Sequence, residues 1–198
     1  MLFQAMNPWC AKAIILVGTL AIVIIPASLH PRGGAKKVVK SRKGRMERVL
    51  LTLTSLGFFP PLVWVAAPIF PFADYPLRPV AFIAGIFCLS SGLWLLYRSH
   101  ADLGTNWSIT LEVQEKHQLV NQGIYRHVRH PMYLALLLYS SGQALVLPNW
   151  VAGPSYLVAF AFLFALRVGP EERMMVEEFG KEYVAYMAQT KRLVPGVW

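Results

Sequence analysis

A chain of 198 residues is long enough for one domain with a substantial core. Hydrophobic residues make up 56% of it and charged residues 15%, a balance that excludes an ordinary soluble domain. The net charge of +9 does not point to nucleic acid, because the basic residues stand between apolar blocks instead of forming a face interleaved with aromatics.

Those blocks are roughly 17–22 residues long, the length of a helix that crosses a bilayer. The first, "AIILVGTLAIVIIPASL", carries Pro26 near its end, and the second, "VLLTLTSLGFFPPLVWVAA", a Pro60-Pro61 pair expected to bend or break it. The third, "VAFIAGIFCLSSGLWLLY", holds Gly85, Ser90, Ser91 and Gly92, small enough to admit a second helix. The fourth and fifth, "MYLALLLYSSGQALVL" and "WVAGPSYLVAFAFLFAL", are separated only by Pro148-Asn149, which predicts a helical hairpin. Cys10 and Cys88 fall in or beside apolar blocks, without metal-ligand spacing, and read as small buried hydrophobes.

The fold class is therefore all-α. A single membrane domain over 1–198 carries about five transmembrane helices, near 11–29, 49–67, 79–98, 131–147 and 150–167. A cytosolic connecting segment and a C-terminal helix complete it. The alternative for the first block is a cleaved signal peptide. Cleavage would translocate "HPRGGAKKVVKSRKGRMER", which holds eight Lys/Arg residues and is the heaviest cytoplasmic signal in the chain. With that loop inside, the N-terminus lies outside, and 17 of the 19 basic residues fall on the cytosolic side. Segments 98–131 and 167–198 then share that face.

The stretch "GIYRHVRHPMYLALLLY" (123–139) sets four basic or imidazole side chains against the mouth of the fourth helix. Pro131 suits a first helical turn, where its missing N–H is no loss, and it pushes His130 toward extended backbone. Arg126, His127, Arg129 and His130 either anchor the helix among lipid headgroups or sit where the helix N-terminus favours an anion. Tyr125 and Tyr133 fit an interfacial aromatic belt equally well. In "RVGPEERMMVEEFGKEYVAYM", the Gly169-Pro170 break followed by acids reads as an ordinary helix start for Glu172, Glu177 and Glu178. Met175, Phe179, Tyr183 and Tyr186 recur at helical spacing beyond it. Arg167 closes the hairpin whose other arm begins with Arg129-His130, so their inner ends meet. Ionisable groups at that depth are costly and usually functional.

Taken together, "DLGTNWS" (102–108), "HQLVNQGIYRHVRHPMY" (117–133) and "RVGPEERMMVEEFGKEYVAYM" (167–187) resemble the isoprenylcysteine carboxyl methyltransferase family, in its short prokaryotic branch, and the related membrane phospholipid methyltransferases. The resemblance covers roughly the second half of the chain, and it implies S-adenosylmethionine as cofactor, bound by residues 100–198. By matching position, His117, Gln118, Leu119, Val120, Tyr125, Arg129, His130, Pro131, Met132 and Glu171 would contact the cofactor. Arg167, and with it Arg129, would act on the acceptor side. Glu112 corresponds to a further contact, across a length difference before His117.

The residues themselves agree with that assignment. No strand–Gly-x-Gly-x-x-Gly–helix unit is present to hold a nucleotide. Arg129 and the helix start suit the cofactor's carboxylate, and Glu171 its hydroxyls and ammonium. Arg167 suits a carboxylate acceptor, which needs no general base. The expected partner is a lipidic or prenylated acceptor in an integral membrane setting, the inner or plasma membrane in a prokaryote and the endoplasmic reticulum in a eukaryote, with no nucleic acid and no metal. Alternatives are a phosphatidylethanolamine-type N-methyltransferase, an NADPH-dependent sterol-type reductase and a non-enzymatic membrane scaffold.

Overall fold

A computed structural model describes residues 8–29, 38–41, 44–104, 112–114 and 119–196. In chain order the elements are α1 (Pro8–Leu29), β1 (Val38–Ser41), α2 (Arg45–Ala66), α3 (Pro79–Leu103), β2 (Glu112–Gln114), α4 (Pro131–Val146), α5 (Ala152–Phe179) and α6 (Lys181–Gln189). Helices α1, α2, α3 and α5 are long and apolar enough to cross a membrane. At 16 residues α4 is shorter, and it packs against both α3 and α5. Large apolar side chains such as Val17, Phe87, Trp94 and Phe162 face outward, as lipid-facing surfaces do. Cys10 is among the exposed residues and Cys88 is half-buried, so Cys10 does not pack inside as its sequence context predicts.

The small-residue face of α3 is where α4 comes closest. A Cβ on Gly92 would stand 2.7 Å from the Tyr139 backbone nitrogen and 2.8 Å from the Ala135 carbonyl oxygen. On the facing helix, a Cβ on Gly142 would stand 2.6 Å from the Leu89 nitrogen. Both contacts are with backbone, which cannot swing aside. Gly92→Ala is therefore expected to cost ~1–3 kcal/mol through overpacking, read as a lowered melting temperature in detergent. Ser90, on the same stretch of sequence, is exposed and takes no part.

Prolines do not divide the helices as the sequence leads one to expect. Helix α2 runs through Pro60-Pro61 and α5 runs for 28 residues through Pro170. A proline in a helix interior removes one hydrogen bond and crowds the carbonyl four residues back. In α5 the ionic contacts of Glu171 and Glu172, described below, hold the part beyond Pro170 in place. That continuity puts Arg167 and Glu171 one turn apart on one face of a single helix.

At the far end from those acids, Asn149 ties three segments together. Its amide donates to the Phe70 carbonyl at 2.9 Å and to Asp74 Oδ1 at 2.7 Å, while its Oδ1 accepts from the Val151 and Ala152 N–H groups. The link between α4 and α5 is thereby fixed to the segment preceding α3. Rings pair down the two helices in opposite sequence order, Tyr133 with Phe164 and Tyr139 with Tyr156. The β1–β2 ladder is antiparallel, with Ser41 opposite Glu112 and Lys40 opposite Val113. It is a small addition to the all-α expectation.

Candidate active site

The approach to α4 is built from backbone. Gly123 takes φ +59°, a conformation that disfavours a side chain, and an added Cβ would also run into the Asp102 carboxylate. That carboxylate accepts the Ile124 N–H at 2.8 Å and the Arg98 guanidinium at 3.1 Å. The resulting 3-10 turn, Gly123–Arg126, buries Tyr125, whose hydroxyl donates to the Ser99 carbonyl. Tyr186 on α6 donates in turn to the Tyr125 carbonyl. Burial pushes the phenols of Tyr125, Tyr183 and Tyr186 above their ordinary value, so all three are neutral at physiological pH.

The chain beyond α6 then returns to the same place. Arg129 and His130 donate their N–H groups to the carbonyls of Lys191 and Arg192, at 2.8 and 3.0 Å. Pro131 opens α4 as expected, and His130 caps it at φ −123°, ψ 59°, outside the helical region though short of fully extended.

Glu172 is the hub of this end of the molecule. Its Oε1 accepts from Arg129 Nη2 at 2.7 Å, Arg129 Nε at 3.0 Å and His130 Nε2 at 3.2 Å. Its Oε2 accepts from Arg192 Nη2 at 2.7 Å and Nε at 3.0 Å. The bond to Glu172 pushes the Arg192 guanidinium above its ordinary value. Arg129 Nη1 donates further to the carbonyls of Met187 and Thr190. The arginine predicted to hold a ligand's carboxylate therefore has each guanidinium nitrogen engaged within the protein. Glu172, read from sequence as an ordinary helix-start acid, is what engages it.

Next to the hub lies a second ionic group. Arg167 Nη2 stands 3.6 Å from Glu47 Oε1 of α2, and Arg167 Nε 3.8 Å from Glu171 Oε2. Glu171 Oε2 also accepts the Tyr133 hydroxyl, and its Oε1 lies 3.8 Å from His130 Nδ1. Tyr133 packs edge-on to Phe164, inside the bundle and not in an interfacial belt.

Both arginines line a single cavity of ≈ 780 Å³. One part has apolar walls from α1, α2, α4 and α5: Ile22, Leu51, Phe58, Leu136, Tyr156 and Phe160. The other is ringed by Arg129, His130, Arg167, Glu171, Tyr125, Tyr183 and Tyr186.

The sequence around this cavity matches known proteins. Residues 84–177 match the model of the isoprenylcysteine carboxyl methyltransferase family. Over that stretch, just under half of its length, the chain is similar to this family. A similar protein is protein-S-isoprenylcysteine O-methyltransferase B of Arabidopsis thaliana, 34% identical over 45% of this chain and 45% of that one. The human protein-S-isoprenylcysteine O-methyltransferase is 30% identical over 57% of this chain and 39% of that one. The match thus spans less than half the length of these relatives. In fold, the chain is similar to the eukaryotic intramembrane Ras methyltransferase of the family, with a TM-score of 0.59 at 20% identity, covering 94% of this chain and 68% of that one. The apolar helices and these relatives together make it an integral membrane protein.

Of the residues carried over from the family pattern, Leu119, Val120, Tyr125, Arg129, His130, Pro131, Met132, Arg167 and Glu171 all line the one cavity. Glu112 stands in β2, opposite Ser41. His117 and Gln118 lie outside the described residues. Arg126 and His127 are exposed, which leaves them to the headgroup reading. Reasoning on the family's motifs did not single out Glu47, Glu172 or Arg192. Burial is what marks Glu47 and Glu172, and a linear sequence carries no sign of it in a basic loop or a run of acids.

Proposed function

We propose that this chain is an S-adenosylmethionine-dependent methyltransferase acting on a lipidic, membrane-embedded acceptor, with carboxyl O-methylation of the isoprenylcysteine type as its reaction. The observation that carries the reading is the continuity of the cavity. An apolar lipid chain has walls to lie against, and those walls lead without interruption to an arginine and a carboxylate. A volume of ≈ 780 Å³ is within the range of small-molecule sites.

The cofactor's chemistry fits the residues present. Glu171, partly open to the cavity, suits an ammonium or ribose hydroxyls. The first-turn N–H groups of Met132 and Tyr133 precede any intrahelical acceptor and suit a carboxylate, a task that falls to them because Arg129 is committed to Glu172. S-Adenosylmethionine would supply a methyl group on a sulfonium, open to in-line attack. The protein's part is positioning. Arg167 holds and orients the acceptor carboxylate, Arg129 holds the C-terminal segment against α4, and the apolar walls exclude water so that charge dispersal is favoured.

The topology belongs to the same proposal: α4 and α5 act as a spanning hairpin, giving five spans, with the N-terminus outside and the ionisable end of the cavity facing the cytosol. Seventeen of 19 basic residues then lie inside. The whole chain serves as one membrane domain.

A second reading draws on Glu47 and Glu171, which flank Arg167 with two carboxylates and would also attract an amine acceptor such as phosphatidylethanolamine. Calorimetric titration of detergent-purified protein with S-adenosylhomocysteine tests the cofactor, and binding is expected. Radiolabelled methyl transfer is then expected to a farnesylated cysteine analogue and not to phosphatidylethanolamine. Absence of cofactor binding would end both readings.

A further inference from the structure

The ionic group around Arg167 contains a residue from outside the stretch that matches the family. Glu47 lies in the first turn of α2, well before residue 84, in a loop-to-helix passage dominated by lysine and arginine. Its sequence neighbours Arg45, Met46 and Arg48 are exposed, whereas Glu47 is buried at 7% exposure. A carboxylate turned away from water is costly unless an opposite charge meets it. Arg167 meets it, at 3.6 Å. The guanidinium is therefore flanked from two helices, by Glu47 of α2 on one side and Glu171 of its own helix on the other.

The rest of α2 gives this pair a direction. Leu51, Thr54 and Phe58 follow Glu47 at steps of four, three and four residues, so all four lie along one helical face. Leu51, Thr54 and Phe58 line the cavity. The apolar stripe of α2 thus ends, one turn above Leu51, at the residue that touches Arg167. An acceptor lying along the stripe brings its polar head to that end.

We propose that Glu47 is a positioning residue for methyl transfer: through its ion pair it sets the Arg167 guanidinium where the α2 stripe ends, so that the acceptor's head group is gripped from the direction in which its apolar chain lies. The inference rests on the methyltransferase reading and adds to it the part of the chain that the family match leaves out. Without Glu47 to oppose it, Glu171 of the same helix draws Arg167 toward itself, away from the acceptor.

The test uses full-length protein in detergent, with the farnesylated cysteine analogue as acceptor. Glu47→Gln keeps the shape and removes the charge. It is expected to raise the acceptor KM and lower kcat/KM by about ten- to a hundredfold, with S-adenosylhomocysteine affinity held within about threefold. Glu47→Asp, which restores the charge on a shorter arm, is expected to recover part of the loss. The double variant E47Q/R167Q should be no worse than R167Q alone, since the two residues act as one unit. Should E47Q fail to accumulate, the double variant leaves neither charge uncompensated and carries the comparison with R167Q by itself. Wild-type kinetics in E47Q, or a double variant whose loss is the product of the two single losses, overturns the role of Glu47 and leaves the methyltransferase reading intact. Wild-type protein that neither binds S-adenosylhomocysteine nor transfers a methyl group takes down both.

Discussion

Arg167→Ala is expected to lower kcat/KM for a carboxylate acceptor by about a hundredfold or more, while S-adenosylhomocysteine still binds. The arginine stands where the apolar walls of the cavity meet its ionisable end, and its side chain is only 11% exposed. A planar guanidinium can hold a carboxylate by two parallel hydrogen bonds, which fixes the acceptor in angle as well as distance. Lysine supplies charge without that fork, so Arg167→Lys should fall between wild type and Arg167→Ala. The loss should appear chiefly with acceptors that present a carboxylate. An amine acceptor has no anion for the guanidinium to grip, and its methylation should survive the substitution. Radiolabelled transfer to a farnesylated cysteine analogue and to phosphatidylethanolamine, run side by side on the same variant, reads the difference. Retained transfer to the farnesylated analogue would remove Arg167 from the acceptor's grip.

What could be read ahead of the structure follows the range of the physics involved. Pro131 at the first turn of α4, the small-residue face of α3 and the gathering of Arg129, His130, Arg167 and Glu171 at one cavity were legible, because each depends on local chemistry or on the return of the chain through a short link. The unbroken α5 was not. Proline's cost is written in the local sequence, but the compensating contacts of Glu172 come from Arg129, 43 residues earlier, and Arg192, 20 residues later. The same separation hid the engagement of Arg129. In the sequence it is a cation beside a helix start, and only the folded chain brings Glu172 and the Met187 and Thr190 carbonyls onto it. Glu47 was hidden differently, as one acid among eight basic residues whose inward orientation no pattern announces.

Glu172→Ala should give the largest loss of stability of any single substitution at this end of the molecule, ~3–5 kcal/mol, because it strips the counter-charge from buried cations and leaves them uncompensated. Arg129 is the worse placed of the two guanidiniums, with its side chain 7% exposed against 33% for Arg192. Its neighbour His130 loses a hydrogen-bond partner at the same time. The damage should spread along the backbone. Residues 191 and 192 lie against the start of α4 through the N–H groups of Arg129 and His130, and the two arginines converging on one carboxylate hold that contact closed. A lowered melting temperature should therefore be accompanied by faster tryptic cleavage after Lys191 and Arg192, whose carbonyls are held by the Arg129 and His130 N–H groups in the wild type. Adding Arg129→Met to Glu172→Ala should recover part of the stability, since it removes the more deeply buried of the stranded charges. Cofactor affinity should fall in the single variant, as α4's first turn loses the segment that braces it. An unchanged melting temperature and an unchanged cleavage pattern would mean that Glu172 gathers these side chains without holding the fold.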